Sequence, residues 1–345
     1  MANSRAVRTN RGTSRGVALL AVLWLAAGLS AIALTIANTV RGETERSSTE
    51  ADGLKAYYLA AGAIDRMLLY MEQRGGFQNP DKSPIIQDNT RVLALSFPAG
   101  FAIGELIPET SKLDVNKADP KELLNLLLAL GEDPGQAVQT LTGILDWRNP
   151  SPGGSLTQFD QYYLSLAPSF QARHASFEEI EELLLVRGVT PDLFYGSYTR
   201  DAQGKLWPHA GLRDCLSVFG STGTFDVNTV EPAVMEAIGI PADVAAAIVA
   251  LRKAAPIRDV NQLAAFRSAG PGMTRLGMAT LTLDHAFALT LRATGQLRLS
   301  NGQLSDVRRT VNAMVMFLDP NSQLIQPGQP PYHVMRWYDS AVALQ

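Results

Sequence analysis

Cysteine is nearly absent: Cys215 is the only one in 345 residues, so no intrachain disulfide can form and a disulfide-stapled scaffold is excluded. A lone thiol reads as a small buried hydrophobe, not as a nucleophile. Histidine is scarce too. His174, His209, His285 and His333 stand far apart, and none has a metal-ligand spacing such as HExxH. No GxSxG or P-loop pattern occurs. The turn-like loop Gly220-Ser221-Thr222-Gly223 lacks the lysine that a phosphate-cradling loop needs. Charged residues make up 18% of the chain, against about 25% in soluble domains, so part of the chain is expected outside water. A net charge of −3 gives no basic footprint for nucleic acid. Catalysis by a recognisable constellation and nucleic-acid binding are therefore both disfavoured.

What is present begins at the N-terminus. Residues 1–16 carry Arg5, Arg8, Arg11 and Arg15 and no acid, and residues 17–40 carry no charge at all. About 20 apolar residues at 1.5 Å rise cross a bilayer. The basic flank stays in the cytoplasm, which places the C-terminal bulk on the other side. A removable secretory signal has a shorter apolar core, about 7–15 residues. The stretch 43–74 then continues as helix, with an expected apolar stripe of Leu54, Tyr57, Tyr58, Ala61, Ile64, Leu68 and Met71 at spacings of three and four. Gly75-Gly76 and Pro80 end it. The whole helix would be on the order of 85 Å long.

The middle of the chain repeats itself. Leu113-Asp114-Val115-Asn116, followed by Asp119-Pro120 and an apolar run, recurs as Phe225-Asp226-Val227-Asn228 followed by Glu231-Pro232. Each copy reads as a short strand, a turn held by the asparagine side chain, and a helix started by an acid and a proline. A second helix follows each (137–147 and 244–253). A third element comes next, at 177–188 and 257–263. Such units resemble helix-hairpin-helix modules, but the hairpin at Gly239-Ile240-Pro241 is followed by Ala242-Asp243, with no cation for phosphate.

From residue 281 on the pattern changes to strands, expected at 285–294, 307–317 and 332–338, with turns at Asn301-Gly302 and Asp319-Pro320-Asn321. One metal chemistry suits the loop 150–154: Asp146, Asn149 and Asp160 flank it and offer the hard oxygens that calcium takes. A capping-and-turn role explains the same residues equally well. Asp119 and Glu231 read as helix starts.

The basic leader ending in Gly16, running into an apolar and then an amphipathic helix, resembles the class III signal of type IV pilins and pseudopilins. The resemblance implies cleavage by prepilin peptidase between Gly16 and Val17, methylation of the new N-terminus, and assembly through Leu20, Ala21, Leu23, Trp24 and Leu29. Ala21 stands where most of that family carries glutamate. In order along the chain, LDVNKADPKELLNLL, ILDWRNPSPGG, FEEIEELLLVRGVTPDLF and FDVNTVEPAVMEAIGI resemble the K-type minor pseudopilins of type II secretion systems, which also lack that glutamate and bind calcium.

The fold this implies is α+β: a pilin-like long N-terminal helix on an antiparallel sheet, with a large inserted helical domain of the helix-hairpin-helix or SAM-like kind. The implied divisions are a leader 1–16, a transmembrane part 17–40, a periplasmic helix 41–75, a core from 76–117 and 220–345, and an insert 118–219. The implied function is non-enzymatic: to start or cap the periplasmic pseudopilus from the bacterial inner membrane. Implied partners are other minor pseudopilins in a tip complex, the major pseudopilin, prepilin peptidase and the inner-membrane assembly platform. The alternative is a membrane-anchored helix-hairpin-helix DNA-binding protein of the competence type.

Overall fold

The computed structural model describes residues 14–73, 76–87, 90–201, 204, 206–278, 287–318, 325 and 328–340, with backbone alone at 14–18, 152, 339 and 340. Leader residues 1–13, His285 and the turn Asp319-Pro320-Asn321 lie outside the described residues. Residues to Lys55 form one unit and residues from Ala56 a second. Helix α1 runs Ser14–Glu72 despite its five glycines.

In the first unit every described side chain from Leu19 to Ala51 is exposed. An apolar stretch with mean hydropathy 2.3 is long enough to cross a membrane. The hydroxyls of Thr35 and Thr39 donate to carbonyls four residues back, which keeps their polar atoms satisfied inside the helix, as lipid requires. Beyond the apolar stretch, Arg41–Glu45 and Arg46–Glu50 form i,i+4 ion pairs on the helix surface.

In the second unit the buried face of α1 is Ala60, Ala63, Ile64, Met67, Leu68 and Met71. The expected stripe is thus rotated: Tyr58 is exposed and alanines face inward. The reason is close packing. A side chain on Gly295 of the sheet would collide with the α1 backbone at Ala56 and Ala60, so only small helix residues fit opposite.

Strands β1 (Val92–Phe97) and β2 (Gly100–Pro108) follow, joined by a two-residue turn. Neither is announced by the sequence patterns above, although β2 alternates buried and half-buried positions along its whole length. The chain then enters the helical region. Strand β3 (Leu113–Asp114), α2 (Pro120–Ala129), α3 (Pro134–Arg148), α4 (Gln158–Leu164), α5 (Pro191–Tyr195), the hairpin β4 (Ser197–Arg200) and β5 (Leu206–His209), α6 (Leu212–Cys215) and β6 (Leu216–Ser217) come first. Strand β7 (Phe225–Asp226), α7 (Pro232–Ala237), α8 (Ala242–Ala254) and β8 (Leu276–Gly277) complete it. The chain returns as β9 (Phe287–Arg298), β10 (Leu304–Phe317) and β11 (Tyr332–Ser340). The three expected C-terminal strands are present, and Gly295 lies within β9 and does not end it.

The main sheet has order β1-β2-β9-β10-β11 with antiparallel neighbours. Alternation along β9 and β10 gives it two unlike faces. Leu289, Leu291, Ala293, Val311, Ala313 and Val315 join the α1 cluster. Residues of the opposite parity, Thr290, Arg292, Thr294, Thr310 and Asn312, turn to the other face.

A second apolar cluster spans Leu113 to Leu276 and contains both DVN copies. The insert boundary expected at residue 219 is corrected by this packing. Phe225, Val227, Val234 and Ile248 pack with the helices and not with the sheet. α2 and α7, the leading helices of the two copies, pack on each other.

Candidate functional site

The two DVN copies are built with the same atoms. Asp114 Oδ1 accepts from the N–H of Asn116 at 2.8 Å, and Asp226 Oδ1 from the N–H of Asn228 at 2.8 Å. The aspartate, not the expected asparagine, therefore holds each turn. The asparagines reach further. Asn116 exchanges two bonds with the backbone of Phe177 (3.0 and 2.7 Å). Asn228 exchanges two with the backbone of Ile257 (2.8 and 2.8 Å). Each asparagine so pins the third element of its copy, as a side-chain amide can when it mimics a strand pair.

One arginine per copy completes the tie. Arg148 donates to the carbonyls of Val115 and Ala118 at 2.8 and 3.0 Å. Arg252 donates to those of Val227 and Val230 at 3.0 and 2.7 Å. Glu182 accepts from the N–H groups of Glu178 and Glu179, and Gln262 from those of Arg258 and Asp259. The helix turns match too: Gly131 (φ 92°) and Gly239 (φ 94°) are left-handed and end α2 and α7, where glycine carries no Cβ penalty. Asp119 caps α2 through the N–H of Lys121. Glu231 occupies the same place before α7 without a side-chain cap bond. Burial raises its carboxyl above the usual range, and Asp214 adds to the rise. The flanking residues of the two hairpins are Glu132 and Asp133 in one and Glu236 and Asp243 in the other. That charge repels phosphate, so the geometry does not favour the DNA-binding alternative.

Asp146 and Asp160 are brought together, but by the chain itself. Thr157 Oγ1 lies 3.2 Å from Oδ2 of each. Asp160 closes the capping box of α4 and accepts from the N–H of Thr157 (2.9 Å) and of Ala172 (3.2 Å). His174, which the sequence gives no signal for, sits between Asp160 Oδ2 (2.8 Å) and the carbonyl of Asp146 (2.9 Å). Burial opposes its charge, yet bonds to Asp160 and the Asp146 carbonyl outweigh it and raise its pKa. For Asp160 burial is likewise outweighed, by the Thr157, His174 and Ala172 bonds, and its pKa is lowered. Burial raises Asp146. Asn149 is the exposed C-cap of α3.

Calcium needs several free oxygens around one point. Here the oxygens of Asp160 are already met by two backbone N–H groups and an imidazole. Among the described residues no group of three or more His, Cys, Asp or Glu could hold a metal. The donor set does not fit calcium. Arg148, beside this loop, is the tie of the first copy.

Next to this loop Trp147 is 2% exposed, stacked on Phe177 and edge-on to Tyr163, and donates Nε1–H to Glu182 at 3.1 Å. Cys215 is fully buried, and burial pushes its thiol well up, so it is inert as expected. In the first unit, Leu20, Ala21, Leu23, Trp24 and Leu29 are exposed, Trp24 at 78%. Gly16 and Val17 lie in the first turns of α1, where side chains are not described.

Residues 101–195 match the family "Type II secretion system (T2SS), protein K", a segment that begins in β2 and contains the first DVN copy. No curated protein matches the chain. A solved structure similar to it is titled as the GspK-GspI-GspJ complex from the enterotoxigenic Escherichia coli type 2 secretion system. It is 15% identical, covers 86% of this chain and 100% of the other, and has a TM-score of 0.46. The family match is to protein K of type II secretion and is confined to residues 101–195; over that segment the K-type resemblance of the sequence is borne out.

Proposed function

We propose that the chain is a minor pseudopilin that starts or caps the periplasmic pseudopilus for protein export, and that its work is architectural with no reaction of its own. The observation that carries the proposal is the pairing of a protein K segment with an exposed helix whose uncharged stretch is long enough to span a bilayer. The basic flank sets the N-terminus in the cytoplasm and the second unit in the periplasm. Prepilin peptidase would cut between Gly16 and Val17. Leu20, Leu23, Trp24 and Leu29 would then leave lipid for the helices of other minor pseudopilins and the major pseudopilin, supported by the assembly platform. Ala21 offers no carboxylate to a neighbour's N-terminus, which suits a subunit at the end of the fibre.

Deleting the gene from its host tests the role. Exported proteins are expected to accumulate in the periplasm, rescued by the wild-type chain and not by Trp24→Arg, which places a charge in lipid at a cost of about 3 kcal/mol. Unchanged secretion in the deletion strain would overturn the proposal.

A further inference from the structure

The two faces of the sheet are held by different physics. The α1 face is apolar throughout, whereas the apolar cluster of the helical region shares no residue with that of the sheet. Between them lies a seam of charge in which three sheet-side arginines meet acids of the helical side. Arg91, whose carbonyl pairs with the N–H of Leu106 in β2, meets Asp226 of β7 at 2.5 Å. Arg292 of β9 meets Asp214 of α6 at 3.3 Å and Glu105 of its own sheet at 3.6 Å. Arg336 of β11 meets Glu179 at 2.6 Å and also Glu181. One reversed contact joins them: Arg213 of α6 lies 5.1 Å from the Tyr338 ring centre of β11.

The seam is graded. The Arg91–Asp226 pair is 4% and 0% exposed, while Arg336 and Glu179 are 28% and 65% exposed. Salt screens the second end and hardly reaches the first. At the exposed end there is also a cavity of about 100 Å³, lined by Arg213, Val218, Phe219, Met335, Arg336 and Tyr338.

We propose that the helical region swings away from the sheet as a body, opening at the β11 edge and pivoting on the buried Arg91–Asp226 pair, with both apolar cores staying closed. The chain's own connections allow this. It enters the helical region after β2 and leaves it before β9, two neighbouring strands.

Hydrogen exchange on the full-length protein in detergent tests it, at about 0.05 M and about 1 M salt, where the screening length falls to about 3 Å. Peptides over 178–186, 212–219 and 332–338 should exchange about tenfold faster in high salt, with peptides in α2, α7, β2 and β9 unchanged. Arg336→Ala should show the fast pattern already in low salt. Arg336→Glu combined with Glu179→Arg and Glu181→Arg should restore the slow one. Salt-independent exchange in the wild-type protein would overturn the proposal, as would acceleration of all peptides together. Should Arg336→Ala fail to fold, the wild-type salt series and the charge-reversed triple variant decide alone.

Discussion

In the first copy of the DVN plan, residues 149–176 stand between Arg148 and Phe177; in the second, only residues 253–256 stand between Arg252 and Ile257. The tying atoms are the same in both. What differs is what the extra chain covers. In the first copy it brings α4, Phe170 and His174 over Trp147. In the second, Leu251, the residue beside the tying arginine, is left 39% exposed. The comparison teaches that the polar scaffold of the plan is separable from its apolar filling. A loop can be enlarged once the asparagine and arginine have fixed the backbone it springs from.

The largest break in the comparison is expected at that filling. Trp147→Ala should cost about 3–5 kcal/mol, the usual range for a buried tryptophan. Leu251→Ala should cost under about 1 kcal/mol, since little area is lost. Denaturant unfolding of the protein in detergent reads both, and equal losses would refute the distinction.

The aspartates sharpen it next. Asp226→Asn leaves Arg91 buried without its ion partner and should cost about 3 kcal/mol. Asp114→Asn should cost clearly less, because its partner Lys117 is 74% exposed and solvent takes over. The same melts compare them.

The arginines should show no asymmetry. Arg148→Ala and Arg252→Ala each free two backbone carbonyls and should each cost about 2 kcal/mol. A loss confined to one copy would mean that the shared plan is not shared in energy.

The smallest effects belong to the loop of the first copy. His174 has a raised folded pKa, so its contribution is complete below its unfolded value of about 6.5 and fades as pH rises through the folded value. Stability should therefore fall from pH 6 toward alkaline pH in the wild type and stay flatter in His174→Leu, as thermal melts would show. Calcium should not shift the melting temperature relative to chelator. A calcium-dependent rise would mean that Asp146 and Asp160 rearrange around the ion.

The sequence made legible whatever has a period or a repeat. The uncharged run 17–40, the helix beyond it, the C-terminal strands and both DVN copies are all local patterns. Less legible was what depends on distant partners. Nothing near Gly295 shows that α1 passes over it, so the buried helix face was misplaced by a fraction of a turn. Strands β1 and β2 are mixed in character, and the pairing of β2 to β9 is set by residues far along the chain. His174 and Arg148 look unremarkable in sequence, because their carbonyl and carboxylate partners come from other elements. The helical boundary failed for a related reason: the second copy reads as a fresh segment, yet it buries its apolar face against the first.

The most direct test of the account is the mature N-terminus of the protein, read by mass spectrometry from membranes with and without prepilin peptidase. The account predicts a peptide beginning at methylated Val17 that disappears when the peptidase is absent. An intact leader in both samples, or cleavage near residues 33–37, would contradict it.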